Sequence, residues 1–197
     1  MLGRQAKVLS PVALKRGLAR VHRSENGLRD EVMLLLSVRA GLRAAEIAGL
    51  TWGMVLDPNG RIGATIDVRN IAAKGGRGRR VPIHPELRTC LQRLLRSGGV
   101  MLCRPEQPVI RSAKTGRAMK ANSIVNWFAG LYQALGLEGC SSHSGRRTFI
   151  TNAARKAHRV GASLRDVQML AGHSSIETTQ RYIDGDTAAQ RKLVALI

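Results

Sequence analysis

The sequence predicts a mainly helical α+β fold, in which a small three-stranded antiparallel sheet packs against helices. Apolar residues recur at helical spacing over most of the 197 residues, and capping residues and glycines separate these segments. Residues 52–83 change to the alternating period that is typical of strands. Because three strands are too few to be stable alone, we expect a single domain over residues 10–186. A loose basic lead-in at residues 1–9 and a tail helix at residues 187–197 would flank it.

Three helices are predicted before the sheet. Ser10 and Pro11 are typical of an N-cap and a first helical position. A second, more buried helix is expected to end at Gly41, and a short third helix covers residues 43–50. The apolar stripes of the first two helices consist of Leu14, Leu18, Val21, Leu28, Val32, Leu35 and Leu36.

Three short strands are predicted at residues 54–56, 61–69 and 79–83. The sequence Asp-Pro-Asn-Gly at residues 57–60 separates the first two strands. A glycine-rich turn at residues 75–78 separates the last two. The predicted sheet is therefore a compact antiparallel unit inside a helical protein.

The second half of the chain is predicted to be helical again. Pro85 begins a helix that Gly98 and Gly99 are expected to end, and residues 100–120 form an irregular surface segment. Tyr132 borders the apolar stripe of the next helix, so we expect it in the core. Further helices are predicted at residues 122–136, 142–158 and 163–171.

A tight joint is predicted before the last helix of the domain. Gly172 suits a helix C-cap, because glycine adopts a positive φ at low cost. Ser174 and Glu177 have the spacing of a capping box. His173 would then lie in the joint, and Tyr182 would lie two turns into the following helix.

The charge of the chain predicts a polyanionic partner. Lys and Arg number 32 against 13 Asp and Glu, which leaves a net charge of +19 and a pI near 11.5. Basic residues are spread along the whole chain, so the folded domain itself is expected to be basic. Aromatic residues make up only 3%, which argues against binding single strands by base stacking. Double-stranded nucleic acid is the simplest partner.

Cysteine usage and hydropathy indicate a cytoplasmic protein without a metal site. Cys90, Cys103 and Cys140 are an odd and scattered set, typical of reduced thiols. The spacing of Cys140 and His143 resembles half of a zinc site, but no second ligand pair accompanies it. We expect no membrane span, because no apolar run approaches the ~20 residues required. No signal peptide is expected either.

Several cations occupy positions that a structural role does not readily explain. The apolar stripe of the helix at 142–158 leads back to Arg146 and His143, so Arg146 needs a carboxylate, a phosphate or a carbonyl as a partner. Arg43 with Glu46 is either an oriented anion ligand or an ordinary surface pair. Lys74, on the glycine-rich turn, is either solvated or able to swing into a site.

Six polar residues occur in a characteristic order, each in a characteristic local sequence. Arg43 lies in AGLRAAEIAGL, Lys74 in KGGRGRRVPI, His143 and Arg146 in HSGRRTF, His173 in LAGHSS, and Tyr182 in TTQRYI. From about Ser10 to about Asp186 the chain thus resembles the catalytic domain of the tyrosine recombinases, the phage integrase family.

The sequence departs from the family pattern in three ways. Ala40 replaces a frequent threonine, and Ser144-Gly145 replaces a bulkier apolar residue, which is expected to loosen the local packing. Many members also carry an N-terminal helical domain that closes over DNA. Since nothing here resembles it, we expect a short single-domain member or a piece of a longer protein.

The resemblance implies phosphoryl transfer in duplex DNA without a metal or another cofactor. Tyr182 would attack the scissile phosphate and form a 3′-phosphotyrosyl intermediate. His143 would accept the tyrosine proton, and Lys74 would protonate the leaving 5′-oxygen. Arg43 and Arg146 would clamp the phosphate, His173 would donate to it, and Glu46 would hold Arg43 or His143. Contacts with the DNA backbone are expected from Arg77, Arg79, Arg80, Lys120 and Arg147.

The resemblance also implies how the protein works with its partners. A free monomer would assemble on DNA into a tetrameric synapse, and accessory DNA-bending proteins would take part. Asp184-Gly185-Asp186 would form a hinge, after which Leu193, Val194 and Ile197 dock either on the protein's own body or, as the resemblance favours, on a neighbouring protomer. The protein would act in the cytoplasm, on the nucleoid. A type IB topoisomerase-like enzyme, a non-catalytic DNA-binding accessory protein and a basic RNA- or ribosome-binding protein remain as alternatives.

Overall fold

The computed structural model describes residues 6–69, 78–102, 104–182, 191, 194 and 195. It shows a mainly helical chain with one small antiparallel sheet, as the sequence predicts. The predicted Lys74, Arg77, hinge and most of the tail helix lie outside the described residues. In order, the elements are α1 Pro11–Val21, α2 Gly27–Ala40, α3 Ala44–Ala48, β1 Thr65–Val68, β2 Arg79–Pro82, α4 Pro85–Leu102, α5 Ala121–Ala134, α6 Ser144–Lys156, α7 Leu164–Ala171 and α8 Ile176–Gln180.

Helix α2 is the centre of the fold. Its apolar residues from Val32 to Leu36 are almost completely buried, and the helix packs against both α4 and α6. The helix ends as predicted at Gly41, which has a φ of 65° and donates its N–H to the carbonyl of Leu36. This left-handed cap turns the chain sharply, so that the carbonyl of Gly41 faces α6.

The sheet has two strands within the described residues, and the predicted strand at residues 54–56 is wrong. Trp52–Met54 is instead a 3-10 turn, and Leu56 makes only an isolated bridge with Ile62. The turn forms because the backbone N–H groups of Trp52 and Gly53 bond to the irregular segment that follows α4. The neighbours Met54 and Val55 are thereby both buried in the core, which a strand with only one buried face would not allow.

Two further segments differ from the prediction. Helix α4 continues through Gly98 and Gly99 to Leu102, since glycine inside a helix costs only about 1 kcal/mol. The chain from Ala6 to Leu9, predicted as a loose lead-in, packs against the body. Leu9 is buried and donates its N–H to the hydroxyl of Thr148 at 2.8 Å.

Helix α6 approaches α2 closely through Gly145. A methyl group on Gly145 would overlap the hydroxyl of Ser37 and lie 2.8 Å from its Cβ. The Ser144-Gly145 pair therefore tightens the local packing, contrary to the sequence prediction. Beyond this contact, Ile150 belongs to a second small core with α7, against which Tyr182 packs.

Within the described residues, no helix combines the length and the apolar character that crossing a membrane requires.

Candidate active site

Arg146 joins the C-terminal ends of two helices. Only 3% of the residue is exposed, and its two Nη atoms each donate at 2.6 Å to the carbonyls of Gly41 and Ala171. These are helix C-terminal carbonyls, which carry partial negative charge. Burial, followed by the charges of Arg43 and Arg79, lowers the pKa of Arg146 to about 10, so the guanidinium remains charged at neutral pH.

These bonds decide between the partners that the sequence left open for Arg146. Among the described residues, its hydrogen-bond partners are the two helix carbonyls. Two carbonyl bonds use two of the five N–H donors of an arginine, so capacity for an anion is retained. A fixed, buried cation of this kind is suited to phosphate recognition.

Arg43 is fixed by Glu46 at the start of α3. The backbone N–H of Arg43 donates to Oε2 of Glu46 at 2.8 Å, and its Nη1 donates to Oε1 at 3.0 Å. Glu46 thus supports Arg43, one of the two roles that the sequence left open for it. About 39% of the Arg43 side chain is exposed, so an external anion can reach it.

A second arginine binds the same carboxylate. Arg79 donates from Nη1 to Oε1 of Glu46 at 2.7 Å and from Nη2 to Oε2 at 3.0 Å. Although burial by itself raises the pKa of Glu46, the hydrogen bonds and charges of Arg79, and then of Arg43, outweigh it and lower the pKa to about 2. The carboxylate is therefore ionised at every pH near neutrality.

Arg79 does not have the outward orientation that a contact with DNA backbone requires. Its side chain is 9% exposed, and its Nε donates to the carbonyl of Leu170 at 2.9 Å. The strand period explains this, because Arg79 lies two residues before the buried Val81 and so shares its face. Arg80 points the other way, is exposed, and pairs with Asp67 at 3.1 Å. Alternation along the strand could have identified Arg79 as an internal residue.

His173 lies in the joint after α7, as predicted. Gly172 has a φ of 64° and caps α7. The side-chain Nε2 of Gln168 donates to the backbone carbonyl of His173. The imidazole Nδ1 lies 2.9 Å from the hydroxyl of Thr179. Burial, and then the charges of three arginines, lower the pKa of His173 to about 4, so the ring is neutral at neutral pH.

The helix after the joint is shorter than predicted. Its N-cap is Ser175, whose hydroxyl accepts from the N–H of Thr178, and not Ser174. Tyr182 lies just beyond the C-cap of α8 and not two turns inside a helix. This happens because the chain closes a turn there, with the N–H of Tyr182 bonded to the carbonyl of Thr179.

Tyr182 stands at the edge of an open cavity of about 260 Å³. Its ring stacks on His173 with 5.4 Å between centroids, and the guanidinium of Arg147 lies 5.7 Å from the ring centroid. His143 occupies the N-cap position of α6 and is exposed. The cavity is lined by Ala6, His143, Arg146, Arg147, Thr178, Arg181 and Tyr182.

The structure therefore brings most of the predicted site residues together. His143, Arg146 and Tyr182 share the cavity, while Arg43 and His173 are electrostatically coupled to Arg146. Lys120 is exposed at the N-cap position of α5 and does not line this cavity. The sequence interpretation missed Thr179, because nothing in a linear pattern indicates a contact across a turn.

No group of three or more His, Cys, Asp or Glu residues in the described ranges is arranged to hold a metal ion.

Comparison with known proteins identifies relatives. A model of the phage integrase family matches residues 7–188. The tyrosine recombinase XerD of Pseudomonas aeruginosa is 35% identical over 159 residues, covering 79% of this chain and 49% of the relative. XerD of Lacticaseibacillus casei is 31% identical over 158 residues, covering 79% of this chain and 50% of the relative. The chain thus spans about half the length of these curated relatives.

Solved structures share the fold. The crystal structure of the XerA recombinase has a TM-score of 0.72 at 21% identity, covering 98% of this chain and 65% of that chain. The XerH site-specific recombinase bound to its difH substrate has a TM-score of 0.71 at 21% identity, covering 99% of this chain and 55% of that chain. At this identity the likeness concerns the fold, and it confirms the predicted fold class.

Proposed function

Since the chain belongs to the phage integrase family, we propose that it is the catalytic part of a site-specific recombinase. It would cut and rejoin duplex DNA through a 3′-phosphotyrosyl intermediate, in integration, excision or inversion. The observation that carries this proposal is the position of Tyr182. It lines the same cavity as Arg146 and His143. The relatives named as recombinases, and the XerH structure with a DNA substrate, support it.

The arginines would bind the scissile phosphate. Arg146 is held by two helix carbonyls and Arg43 by Glu46, so both guanidinium groups are oriented before DNA arrives. Around Glu46 the described side chains combine three cationic arginines with one carboxylate. This excess of positive charge favours a phosphate and stabilises the extra negative charge of the pentavalent transition state.

Tyr182 would then act as the nucleophile. Its phenolic oxygen forms a bond to phosphorus while the bond from phosphorus to the 5′-oxygen breaks. The phenol must lose its proton as it attacks phosphorus, and His143 on the cavity wall is our candidate acceptor. Lys74 would supply the proton that the leaving 5′-oxygen takes up. Rejoining reverses these steps, with the 5′-hydroxyl of a partner strand as the nucleophile.

His173 would donate a hydrogen bond to a non-bridging oxygen of the phosphate. The low pKa keeps its ring neutral, so the ring carries one N–H. When the Thr179 hydroxyl donates to Nδ1, the ring proton lies on Nε2, which would then donate toward the substrate. Stacking between His173 and Tyr182 keeps this donor beside the nucleophile.

The partners are part of the same proposal. Exposed Arg80 and Lys120, together with Arg77 and Arg147, would contact the backbone of double-stranded DNA in the cytoplasmic nucleoid. Protomers would assemble on DNA into a tetrameric synapse, with accessory DNA-bending proteins where the element requires them. The tail at residues 187–197 would dock on a neighbouring protomer. Deleting residues 193–197 should then preserve binding to a half-site while synapsis and strand exchange fall sharply.

A nicked suicide duplex tests the proposed chemistry. The wild-type chain should form a covalent DNA adduct, and Tyr182→Phe should abolish it. The chain contains one other tyrosine, Tyr132, which is buried in the core and stacked on Phe128. Tyr132→Phe removes the same hydroxyl away from the cavity and is the matched control, which should retain the adduct.

Two results would decide the proposal. An undiminished adduct in Tyr182→Phe would contradict the assignment of the nucleophile. Exchange of strands between two differently labelled duplexes, as opposed to relaxation of a supercoiled circle alone, would separate a recombinase from a nicking-closing enzyme.

A further inference from the structure

Arg79 is held by several protein groups beside the candidate site. It binds both oxygens of Glu46 with Nη1 and Nη2, at 2.7 and 3.0 Å, and the carbonyl of Leu170 with Nε, at 2.9 Å. All three guanidinium nitrogens therefore have a partner inside the protein. Such a side chain is not arranged to bind a phosphate, although the sequence indicated that role.

The groups that bind Arg79 also hold, or lie next to the group that holds, Arg43 and Arg146, the two arginines proposed to bind the phosphate. Glu46 holds Arg43 through its backbone and its side chain. Leu170 precedes Ala171, whose carbonyl binds Arg146. Arg79, on strand β2, thus connects α3 on one side of the site with the C-terminal end of α7 on the other.

The close fit at Gly172 supports this connection. A methyl group on Gly172 would lie 2.9 Å from Cδ of Arg79 and 3.1 Å from its Nη1. Arg79 therefore passes directly beneath the residue that precedes His173. The side chain of Arg79 thus lies against the cap of α7, which precedes His173, and binds the carboxylate that holds Arg43.

We propose that Arg79 is a positioning residue, which sets the placement of Arg43 and Arg146 relative to each other and does not contact DNA. The inference rests on the proposed function. Lysine keeps the positive charge but cannot donate from a planar fork to both carboxylate oxygens and to a carbonyl. Arg79→Lys should therefore misplace the clamps while leaving the charge of the DNA-binding surface unchanged.

The test separates the chemical step from binding. On a suicide duplex at saturating DNA, Arg79→Lys should lower the single-turnover cleavage rate by on the order of 10- to 100-fold, the usual effect of misplacing a catalytic group by about 1 Å. DNA affinity and its dependence on salt should stay as in the wild type, because no phosphate contact is lost.

Arg88→Lys is the matched control. Arg88 also donates from two Nη atoms to backbone carbonyls, those of Ile62 and Gly63 at 2.7 Å, and these carbonyls lie outside the candidate site. If loss of a structural arginine alone slowed cleavage, Arg88→Lys would do so as well. We expect it to cleave at the wild-type rate.

A double-mutant cycle provides a second readout. If Arg79 acts through Glu46, combining Arg79→Lys with Glu46→Gln should lower the cleavage rate by much less than the product of the two single effects. Wild-type cleavage by Arg79→Lys, or a salt dependence whose slope falls by about one, would overturn the proposal. If Arg79→Lys does not fold, Arg79→Gln is the substitute, and the same cleavage outcomes apply. Because Gln removes one positive charge, its salt slope is compared with that of Arg88→Gln, which removes the same charge elsewhere.

A measurement without DNA keeps the inference separate from the proposed function. In the free protein, Arg79→Lys should raise the pKa of Glu46, measured by carboxyl NMR, and speed hydrogen exchange of the Arg43 guanidinium. Arg88→Lys should change neither. If the wild type forms no adduct, the proposed function fails, and this experiment still decides whether Arg79 holds Arg43 in place. Unchanged exchange at Arg43 would contradict that.

Discussion

The imidazole Nδ1 of His173 lies 2.9 Å from the hydroxyl oxygen of Thr179, six residues further along the chain. Thr179 is completely buried, and His173 stacks on Tyr182. When the hydroxyl donates to Nδ1, the single proton of the neutral ring resides on Nε2, where it can reach a phosphate oxygen. The tautomer of His173 is thus linked to a residue that needs no contact with DNA.

Thr179→Val, which keeps the size of the side chain but removes its hydroxyl, should therefore impair DNA cleavage. We expect the single-turnover rate to fall by about 10-fold or more, since a misdirected hydrogen bond loses much of the stabilisation of the transition state. Thr179→Ser retains the hydroxyl and should recover most of the rate. Equal rates for the valine variant and the wild type would exclude the role of this hydrogen bond.

Protonation of His173 should destabilise the folded protein. Burial and then the charges of Arg146, Arg43 and Arg79 lower its pKa from 6.5 to about 4, so between these values the unfolded chain binds a proton that the folded chain does not. Stability is then lost as the pH falls through this window, and unaffected above it. Because the ring is only half-buried, we expect an effect on the order of 1 kcal/mol.

Urea denaturation of the wild type and of His173→Gln at pH 7 and pH 4 measures this effect. The wild type should lose more stability than the variant on going to pH 4. A difference between the two proteins that does not depend on pH would show that His173 does not titrate in this window.

Glu46 should have a pH dependence of the same sign, in a lower pH window. Burial alone would raise the pKa of Glu46, but the stronger effect of Arg79 and Arg43 lowers it from 4.5 to about 2. The ionised carboxylate therefore stabilises the fold above pH 4.5, and this stabilisation is lost as the pH falls toward 2. Glu46→Gln should cost on the order of 3 kcal/mol at pH 7, since it leaves buried Arg79 without its anion. Chemical denaturation at pH 7, 4 and 3 should show this cost shrinking, and a constant cost would contradict the assignment.

Gly145→Ala should be destabilising by about 1 to 3 kcal/mol, because the added methyl group overlaps Ser37 on α2. Gly130→Ala is the matched control, since it also lies inside a helix but has nothing within 4 Å of the added group. The control should be neutral or stabilised by up to about 1 kcal/mol. Thermal melting of both variants measures the difference, and equal melting temperatures would mean that α6 shifts to accept the methyl group.

Affinity for duplex DNA should depend steeply on salt. With a net charge of +19, a plot of log affinity against log salt concentration should have a slope of roughly −5 or beyond if six or more phosphates are neutralised. Fluorescence anisotropy of a labelled duplex at several salt concentrations measures this slope. A shallow slope would exclude a broad DNA-binding face.

Much of the fold could be predicted because its signals are local. The cap at Ser10, the end of α2 at Gly41 and the cap at Gly172 depend only on neighbouring backbone groups, and all three are confirmed. Burial of Tyr132 and Arg146 follows from the helical period, which places each of them on or beside an apolar stripe. The ordered motifs indicated the family, which the match over residues 7–188 confirms.

The predictions that failed are those in which distant segments compete with local preference. Residues 54–56 have the composition of a strand, but the segment after α4 binds the preceding turn. Gly98 and Gly99 are common helix ends, yet α4 passes through them. The pair Ser144-Gly145 suggests loose packing only until α2 is placed against it.

By itself, the sequence determined the family and the candidate residues for the proposed chemistry, because residue types, their order and their local contexts can be read along the chain. Only the tertiary structure decided how they are held. Arg79 and Glu46 are 33 residues apart, Arg79 and Leu170 are 91 apart, and Arg146 and Gly41 are 105 apart. The physical reason is that a guanidinium takes whichever oxygens the packing of the helices brings within hydrogen-bonding distance, and no local propensity encodes that choice.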